Sequence, residues 1–352
     1  MSRFFLSKYD KLVAYTPGEQ PRDQQYIKLN TNESPFPPSA EVSMAVAKEA
    51  EKLSLYSDPE NRQLTELIAK HYGLEYENCL LTNGSDEILN FCYMAFFENV
   101  VFPDITYGFY PVLADLHNIS YEIVPLKEDF TIDYRDYCGI NKNIIIANPN
   151  APTGLLLSLF EIEEIIRTNP NNIVVIDEAY IDFSETPATA IPLISKYDNL
   201  IVVKTFSKSG SLAGARLGLG LANKSLINDL NVIKYSTNPY NINRLTNAAG
   251  IAAIKNWQYY EDNCKTVIEN RKYTENKLKE LGFRVLPSQA NFIFAQCPYI
   301  KGKELYLSLK KMGVLVRHFD TERLKSYIRI TIGSREEMDI LIDSIIKIKN
   351  QE

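Results

Sequence analysis

The stretch Leu200–Gly220, LIVVKTFSKSGSLAGARLGLG, decides how the rest of the chain is interpreted. It begins with the apolar run Leu200–Val203 and becomes polar before Ser207 and Lys208. Such a run predicts a buried strand that ends in polar side chains. Arg216 follows among small residues and glycines. A hydroxyl group, a lysine and an arginine after a buried strand indicate chemistry on an anionic small molecule.

The composition is that of a folded protein with a large core. Of the 352 residues, 45% are hydrophobic and 23% are charged, and this length predicts about two structural units. The net charge of −6 argues against nucleic-acid binding, which needs a basic face. No apolar run is long enough to predict a transmembrane helix, and the N-terminus lacks a signal-peptide pattern. We therefore expect neither a membrane nor a nucleic acid as partner.

Cysteine and histidine usage narrows the possible chemistry. The five cysteines are scattered and lack CxxC spacing, which is typical of reduced thiols in a cytoplasmic protein. There are only three histidines, so a histidine-rich metal site or a Ser-His-Asp hydrolase is disfavoured. The sequence predicts a cytoplasmic protein without a metal site.

Three short β-branched runs, at 143–146, 173–176 and 200–203, predict strands that are covered on both faces. Runs without polar alternation favour an α/β fold with a mostly parallel central sheet flanked by helices. In such sheets ligands bind beyond the carboxyl ends of the strands. We therefore expect one site to contain the polar residues that follow these runs: Asn148, Asn150, Asp177, Tyr180, Ser207 and Lys208.

The flanking regions predict the domain organisation. Prolines make residues 1–38 an irregular arm, and helices are expected at 39–53, with Ser39 as N-cap, and at 60–72, ended by Gly73. Beyond residue 220 the chain is mainly helical as far as 281. Short strands are then expected at 283–286, 291–295, 314–317 and 327–331, with helices near 301–312 and 334–349. We predict a large domain at 30–255, with 1–29 and 256–352 forming the N-terminal arm and a smaller α+β domain.

Taken singly, the candidate residues also have ordinary structural explanations. Lys208 could be an exposed surface lysine, and Asp177 could form a salt bridge or cap a helix. The turn Asn83–Asp86, which lies between a predicted strand and a predicted helix, could be a simple N-cap or could bind an anion. Tyr56 and Tyr107 could be packing residues, as could the arginines of the late strands. The order in which all of these occur favours a shared site.

In that order, the residues resemble the fold-type I aminotransferases that use pyridoxal phosphate, and among them the histidinol-phosphate aminotransferases. The resemblance covers nearly the whole chain. It rests on Tyr15–Gly18 (YTPG), Asn30–Pro35 (NTNESP), Asn148–Gly154 (NPNAPTG) and the stretch around Lys208. It implies transamination between L-histidinol phosphate and 2-oxoglutarate, giving imidazole-acetol phosphate and L-glutamate in histidine biosynthesis.

The resemblance also implies roles for individual residues. Lys208 is expected to form an imine with the cofactor aldehyde and to move a proton, Asp177 to hold the ring nitrogen and Tyr180 the ring hydroxyl. The expected cofactor-binding residues are Gly84, Ser85, Asp86, Tyr107, Asn150, Asp177, Tyr180, Ser207, Lys208, Arg216 and Tyr56. The expected substrate-binding residues are Tyr15, Asn32, Arg317 and Arg329. Tyr56 is expected to reach the cofactor phosphate of the other subunit in a homodimer.

Ala151 departs from the family pattern, in which an asparagine before Pro-Thr-Gly donates a hydrogen bond to the ring hydroxyl. Tyr180 remains as a partner for that oxygen. We therefore expect the lysine–cofactor imine to have a higher pKa than in relatives with asparagine, unless Asn150 or water replaces the missing hydrogen bond.

Other functions on this scaffold stay open from the sequence. They include transamination of another small phosphorylated amine or ketone or of an aromatic amino acid, and decarboxylation of a phosphorylated amino acid. A silent pyridoxal-phosphate-binding sensor is a further class. It is disfavoured because Lys208, Asp177 and Arg216 are all present and no segment is spare for a DNA-binding domain.

Overall fold

The computed structural model describes residues 2–186 and 188–350. Within them the strands are β1 (Ile27–Lys28), β2 (Cys79–Asn83), β3 (Asn99–Pro103), β4 (Ser120–Val124), β5 (Asn143–Ala147), β6 (Val174–Asp177), β7 (Leu200–Thr205), β8 (Leu217–Ala222), β9 (Arg284–Val285), β10 (Phe292–Gln296), β11 (Val314–Leu315), β12 (Arg317–His318) and β13 (Tyr327–Thr331). The α-helices are α1 (Ala40–Ala50), α2 (Arg62–Tyr72), α3 (Ser85–Ala95), α4 (Phe109–His117), α5 (Leu159–Thr168), α6 (Lys224–Thr237), α7 (Arg244–Lys255), α8 (Trp257–Glu280), α9 (Gly302–Lys311) and α10 (Arg335–Lys349).

The central sheet confirms the predicted α/β class. Its order is β2-β8-β7-β6-β5-β3-β4, and every strand except β8 runs in the same direction. The strands β5, β6 and β7 are buried along their whole length, as β-branched runs covered on both faces require. Their carboxyl ends therefore meet at one edge, where the chain loops out of the sheet.

The antiparallel strand β8 does not follow from local sequence, because its alternating glycines are unusual in a strand interior. The helix α3 explains them. A Cβ atom on Gly218 would lie 2.3 Å from the carbonyl carbon of Gly84, and one on Gly220 would lie 2.6 Å from Cδ1 of Ile88. The glycines thus allow the start of α3 to lie against the sheet.

The second sheet has the order β12-β13-β10-β9, and its pairs are antiparallel. The prediction of one strand over 314–317 is wrong in detail, because the chain changes partners there. β11 pairs in parallel with β1, whereas β12 pairs with β13. The arm is consequently not irregular throughout, since Ile27–Lys28 gains its strand conformation from a distant segment.

The predicted helices are present with shifted ends. α1 ends at Ala50, and although Ser39 occupies its N-cap position, the side chain makes no capping hydrogen bond. α2 ends at Gly73, which adopts the left-handed conformation that glycine tolerates. None of the described helices is long and apolar enough to span a membrane.

Two separate hydrophobic clusters flank the long helix α8. Tyr260, in its first turn, belongs to a cluster of the central sheet, whereas Cys264 and Val267 belong to the cluster around the second sheet. Leu29, at the end of the arm, packs into the second cluster. The predicted domains also include Met1, Pro187, Gln351 and Glu352, which lie outside the described residues.

Candidate active site

A cavity of about 210 Å³ opens at the carboxyl edge of the central sheet, between it and the second sheet. Twelve of the predicted site residues line it: Tyr15, Asn32, Ser85, Asp86, Tyr107, Asp177, Tyr180, Ser207, Lys208, Arg216, Arg317 and Arg329. They come from both sheets, the start of α3, the arm and the loops between these elements. The fold therefore brings together side chains that are distant from one another in the sequence.

One end of the cavity is built to receive an anion. α3 begins there, and no side chain caps its N-terminus, so its first N–H groups are available. Gly84 has a φ of 75° and carries no Cβ atom. A Cβ atom at this position would lie only 2.3 Å from Nη2 of Arg216. The Arg216 guanidinium donates to Asp86 at 3.3 Å, and Ser207 accepts a hydrogen bond from Thr205 at 2.9 Å. This arrangement fits a phosphate group.

Asp177 ends β6 with a buried carboxylate to which no cation is bonded among the described residues. Tyr110 donates to its Oδ2 at 2.9 Å, and the amide of Ala179 donates to its Oδ1 at 3.1 Å. Burial raises the pKa of Asp177 to about 6. A protonated ring nitrogen in the cavity would supply the positive charge that this carboxylate lacks among the described residues.

Lys208 lies beyond the end of β7 with its amine facing the cavity. Its Nζ donates to the carbonyl of Thr31 at 3.2 Å and lies 5.7 Å from the centre of the Tyr180 ring. Burial, followed by the charge of Arg329, lowers the pKa of Lys208 to about 8. An amine with this pKa is partly neutral near pH 8 and can act as a nucleophile or a base.

Aromatic rings form one wall of the cavity. Tyr107 donates to Oδ1 of Asp86 at 3.0 Å, which fixes its ring beside the anion-binding end. Tyr15 from the arm packs edge-on against Tyr107 at 5.9 Å and against Phe109 at 5.6 Å. Burial raises the pKa of both tyrosines, so their hydroxyl groups remain neutral.

Two arginines line the opposite end of the cavity. Among the described residues, Arg329 donates only to the carbonyl of Asn30, at 3.0 Å, and Arg317 only to that of Pro17, at 3.4 Å. The buried Nε of Arg329 has no hydrogen-bond partner among the described residues. Burial lowers the pKa of Arg329, and the charge of Arg317 lowers it further. Neither guanidinium has a carboxylate partner there, so both are available to a negatively charged ligand.

The predicted residues Gly84, Asn148, Asn150 and Tyr56 do not line this cavity. Gly84 lies directly beneath it, as described above. The Asn150 amide donates to the carbonyl of Ile105 at 2.9 Å and to Thr153 at 3.1 Å, so it braces its own loop. The side chain of Tyr56 is 79% exposed and stacks on Tyr240 at 4.7 Å.

Sequence reasoning missed several residues of the site. Ala147, Ala179 and Thr205 lie at or just beyond the ends of β5, β6 and β7, where the strand-end rule could have found them. Tyr110, which holds Asp177, and Phe319, which packs on Arg317 at 5.6 Å, gave no local signal. Phe319 reaches the cavity only because the second sheet folds over the first.

Comparison with known proteins identifies the family. The sequence profile of the class I and II aminotransferases matches residues 24–345. The chain belongs to this family. The histidinol-phosphate aminotransferase of Brachyspira hyodysenteriae (strain ATCC 49526 / WA1) is 52% identical to this aminotransferase over 98% of each chain.

Solved structures agree with this family membership. The histidinol-phosphate aminotransferase from Clostridium acetobutylicum has a TM-score of 0.85 and 26% identity, with 92% of this chain and 99% of that chain covered. The enzyme from Sinorhizobium meliloti, solved in complex with pyridoxal-5′-phosphate, has a TM-score of 0.81 and 24% identity, with 91% and 90% covered. The latter likeness concerns the fold alone.

This protein is a pyridoxal-phosphate-dependent aminotransferase, and its cavity fits that cofactor. The uncapped start of α3 suits the phosphate, and the cation-deficient carboxylate of Asp177 suits the ring nitrogen. Lys208 adds an amine of lowered pKa to the same cavity.

Proposed function

We propose that this aminotransferase transfers the amino group of L-histidinol phosphate to 2-oxoglutarate, forming imidazole-acetol phosphate and L-glutamate in histidine biosynthesis. The observation that carries the proposal is the pair Arg317 and Arg329, whose guanidinium groups have only carbonyl partners among the described residues. The name of the 52% identical relative supports the same reaction.

The two substrates of the proposed reaction differ in shape but share negative charge. One carries a phosphate and the other two carboxylates. Arg329, which packs against Phe292 and Phe319 at 5.3 and 5.7 Å, is held rigidly and suits a carboxylate common to glutamate and 2-oxoglutarate. Arg317, nearer the arm, suits the substrate phosphate, and Tyr15 would cover it from the arm side. Asn32 is also predicted to bind substrate.

Pyridoxal phosphate supplies, when bound, an aldehyde that condenses with primary amines and a ring that accepts electrons from the adjacent carbon. The proposed residues to hold it are Ser85, Asp86, Ser207 and Arg216 at the phosphate, with Tyr107 against the ring. Asp177 would hold a proton on the ring nitrogen, and Tyr180 would donate to the ring oxygen.

Lys208 is proposed as the residue that moves protons. Its Nζ takes the proton from the carbon that bears the substrate's amino group, a transfer suited to a pKa of about 8. The carbonyl of Thr31, 3.2 Å away, keeps the amine at the cavity wall.

The proposal includes a homodimer in which Tyr56 reaches the phosphate site of the partner subunit. The exposure of its side chain and its absence from its own cavity lining support this. We also propose the division into domains at 30–255 and at 1–29 with 256–352, supported by the two hydrophobic clusters. A biosynthetic role agrees with the cytoplasmic location that we propose.

The proposal is tested with purified holoenzyme and four amino donors. L-histidinol phosphate should produce glutamate from 2-oxoglutarate with a kcat/KM about 100-fold above that of L-histidinol, because loss of a charged hydrogen-bonding group costs about 1.5–3 kcal/mol. L-phenylalanine and O-phospho-L-threonine serve as the aromatic and phosphorylated controls, with carbon dioxide measured for the latter.

The competing activities give distinct results. Release of carbon dioxide from O-phospho-L-threonine would assign the decarboxylase reaction instead. Equal turnover of L-phenylalanine and L-histidinol phosphate would assign an aromatic aminotransferase. A protein that binds no pyridoxal phosphate would contradict every enzymatic assignment.

A further inference from the structure

Asn32 is buried and is held by hydrogen bonds through both its backbone and its side chain. It is 1% exposed and adopts a left-handed conformation with φ of 57°, which asparagine tolerates. Its backbone N–H donates to the hydroxyl of Thr331 at 3.0 Å, and its carbonyl accepts from the side chain of Asn291 at 3.0 Å. These contacts hold the backbone of Asn32 in place.

The orientation of the Asn32 amide follows from its contact with Thr331. That hydroxyl has one proton, which it donates to Oδ1 of Asn32 at 3.0 Å. The opposite side of the amide, the NH₂ group, then points toward Tyr180 and donates to its Oη at 3.1 Å. Asn32 is therefore a donor to the tyrosine.

This contact leaves the proton of Tyr180 unused by the protein. The Tyr180 oxygen receives a hydrogen bond from Asn32, and within the described residues its own O–H has no acceptor. The Tyr180 ring is held edge-on against Phe292 at 5.0 Å, so it cannot turn away easily. The phenol consequently presents a donor to the cavity that it lines.

Ala151 makes the Tyr180 donor more important, because alanine cannot donate a hydrogen bond to the cavity. Its methyl group packs with Ala290, Phe292 and the Tyr180 ring in a small apolar cluster at the cavity. An alanine side chain offers no hydrogen bond. Position 151 therefore supplies no hydrogen bond, whereas Asn32 supplies an amide behind the tyrosine.

We propose that Asn32 is a positioning residue that turns the Tyr180 proton toward the ring oxygen of the cofactor, and that it compensates for alanine at position 151. The inference rests on the proposed role of Tyr180. In this proposal Asn32 acts through the side chain of Tyr180 and not through the direct substrate contact that the sequence predicts.

The test is a spectral titration of the holoenzyme, which reads the pH midpoint of the visible absorbance change without substrate. A hydrogen-bond donor to the ring oxygen stabilises that oxygen most after the neighbouring lysine–cofactor imine has lost its proton. Asn32→Ala should therefore raise the midpoint by about 0.7 pH unit, the size of one neutral hydrogen bond. Ala151→Asn should lower it and should restore the value in Asn32→Ala.

The charged and titratable groups near Tyr180 are Arg329, Asp177, Asp86, Lys208 and Tyr15. They are the same in wild type and in each variant, so they cancel in the comparison. Circular dichroism and retained cofactor absorbance verify that each variant is folded and loaded.

The decisive control is the Tyr180→Phe background. There Asn32→Ala should cause no further shift, because the proposed action passes through the phenol. An equal shift in both backgrounds, or none in wild type, would overturn the inference. If Asn32→Ala does not fold, Thr331→Val, which removes the orienting hydroxyl, must raise the midpoint in wild type and not in Tyr180→Phe. Failure to convert L-histidinol phosphate would refute the proposed substrate while leaving this titration intact.

Discussion

Arg317 and Arg329 lie directly opposite each other on the antiparallel strands β12 and β13. Like charges in this position destabilise a sheet, and within the described residues no carboxylate pairs with either of them. Burial lowers the pKa of Arg329, and the charge of Arg317 lowers it further because the two guanidinium groups repel each other. We propose that substrate anions explain this pair, with phosphate bound at Arg317 and carboxylate at Arg329.

Arg317→Gln should change the stability of the protein and its affinity for the phosphorylated substrate in opposite directions. Removal of the cross-strand repulsion should raise the free energy of unfolding of the substrate-free protein by up to about 1 kcal/mol. The KM for the phosphorylated amine should rise about 10- to 100-fold, and that for unphosphorylated L-histidinol should change little. Urea unfolding and steady-state kinetics measure the two effects. Lower stability with an unchanged KM would assign Arg317 a structural role.

Lys208→Ala should abolish amino-group transfer by more than about 1000-fold while leaving the fold intact, because the residue supplies the proton-moving amine. Borohydride should attach the cofactor covalently to the wild-type chain and leave it unattached in the variant. Mass spectrometry of the digested protein locates the attachment. A modified peptide that lacks Lys208 would contradict the assignment.

The cofactor-free protein should show a pH dependence of stability that comes from Asp177 and Lys208. The pKa of Asp177 is raised from 3.8 to about 6, so its stabilising contribution is present below pH 3.8 and lost between pH 3.8 and 6. The pKa of Lys208 is lowered from 10.5 to about 8, so stability recovers as the pH rises from 8 toward 10.5.

Urea unfolding at a series of pH values measures this dependence. Asp177→Asn should remove the acid-side loss and leave the alkaline recovery unchanged. Lys208→Met should do the reverse. Parallel curves for wild type and both variants would show that other groups control the stability in these ranges.

The buried pair of Lys204 and Asp182 should be sensitive to the loss of one partner. Its Nζ lies 2.9 Å from Oδ1 of Asp182, whose Oδ2 accepts from Ser209 beside Lys208. Asp182→Asn removes the closer of two carboxylates near Lys204, the other being Glu178 at 4.0 Å, and should cost up to about 3–5 kcal/mol in chemical unfolding. The exposed pair of Lys196 and Glu163 is the control, and Lys196→Met should cost less than about 1 kcal/mol. Equal costs would contradict the difference in burial as the cause.

Mixed dimers should test the proposed position of Tyr56. Tyr56→Phe should weaken cofactor binding, and Lys208→Ala should be inactive. When the two variants are refolded together, one of the two sites of each hybrid should combine an intact Lys208 with the partner's intact Tyr56. Each hybrid dimer should then regain up to half of the activity of a wild-type dimer. Hybrids without any recovery, or a fully active monomer, would contradict contact between subunits.

The sequence is sufficient for elements whose cause is local. The apolar runs that form β5, β6 and β7 determine their own burial, and parallel strands place their carboxyl ends at one edge. For this reason the residue order alone predicts that Asp177, Tyr180, Ser207 and Lys208 share a site. The similarity of ordered motifs adds the cofactor and the reaction class.

Only the tertiary structure decided the features that depend on distant partners. β8 is a strand because its glycines admit α3, and β1 is a strand because β11 pairs with it. The opposition of Arg317 and Arg329 depends on strand register. The contact of Asn32 with Tyr180 joins residues 148 positions apart in the chain. Local sequence records which side chains are available, whereas register and packing determine which of them meet.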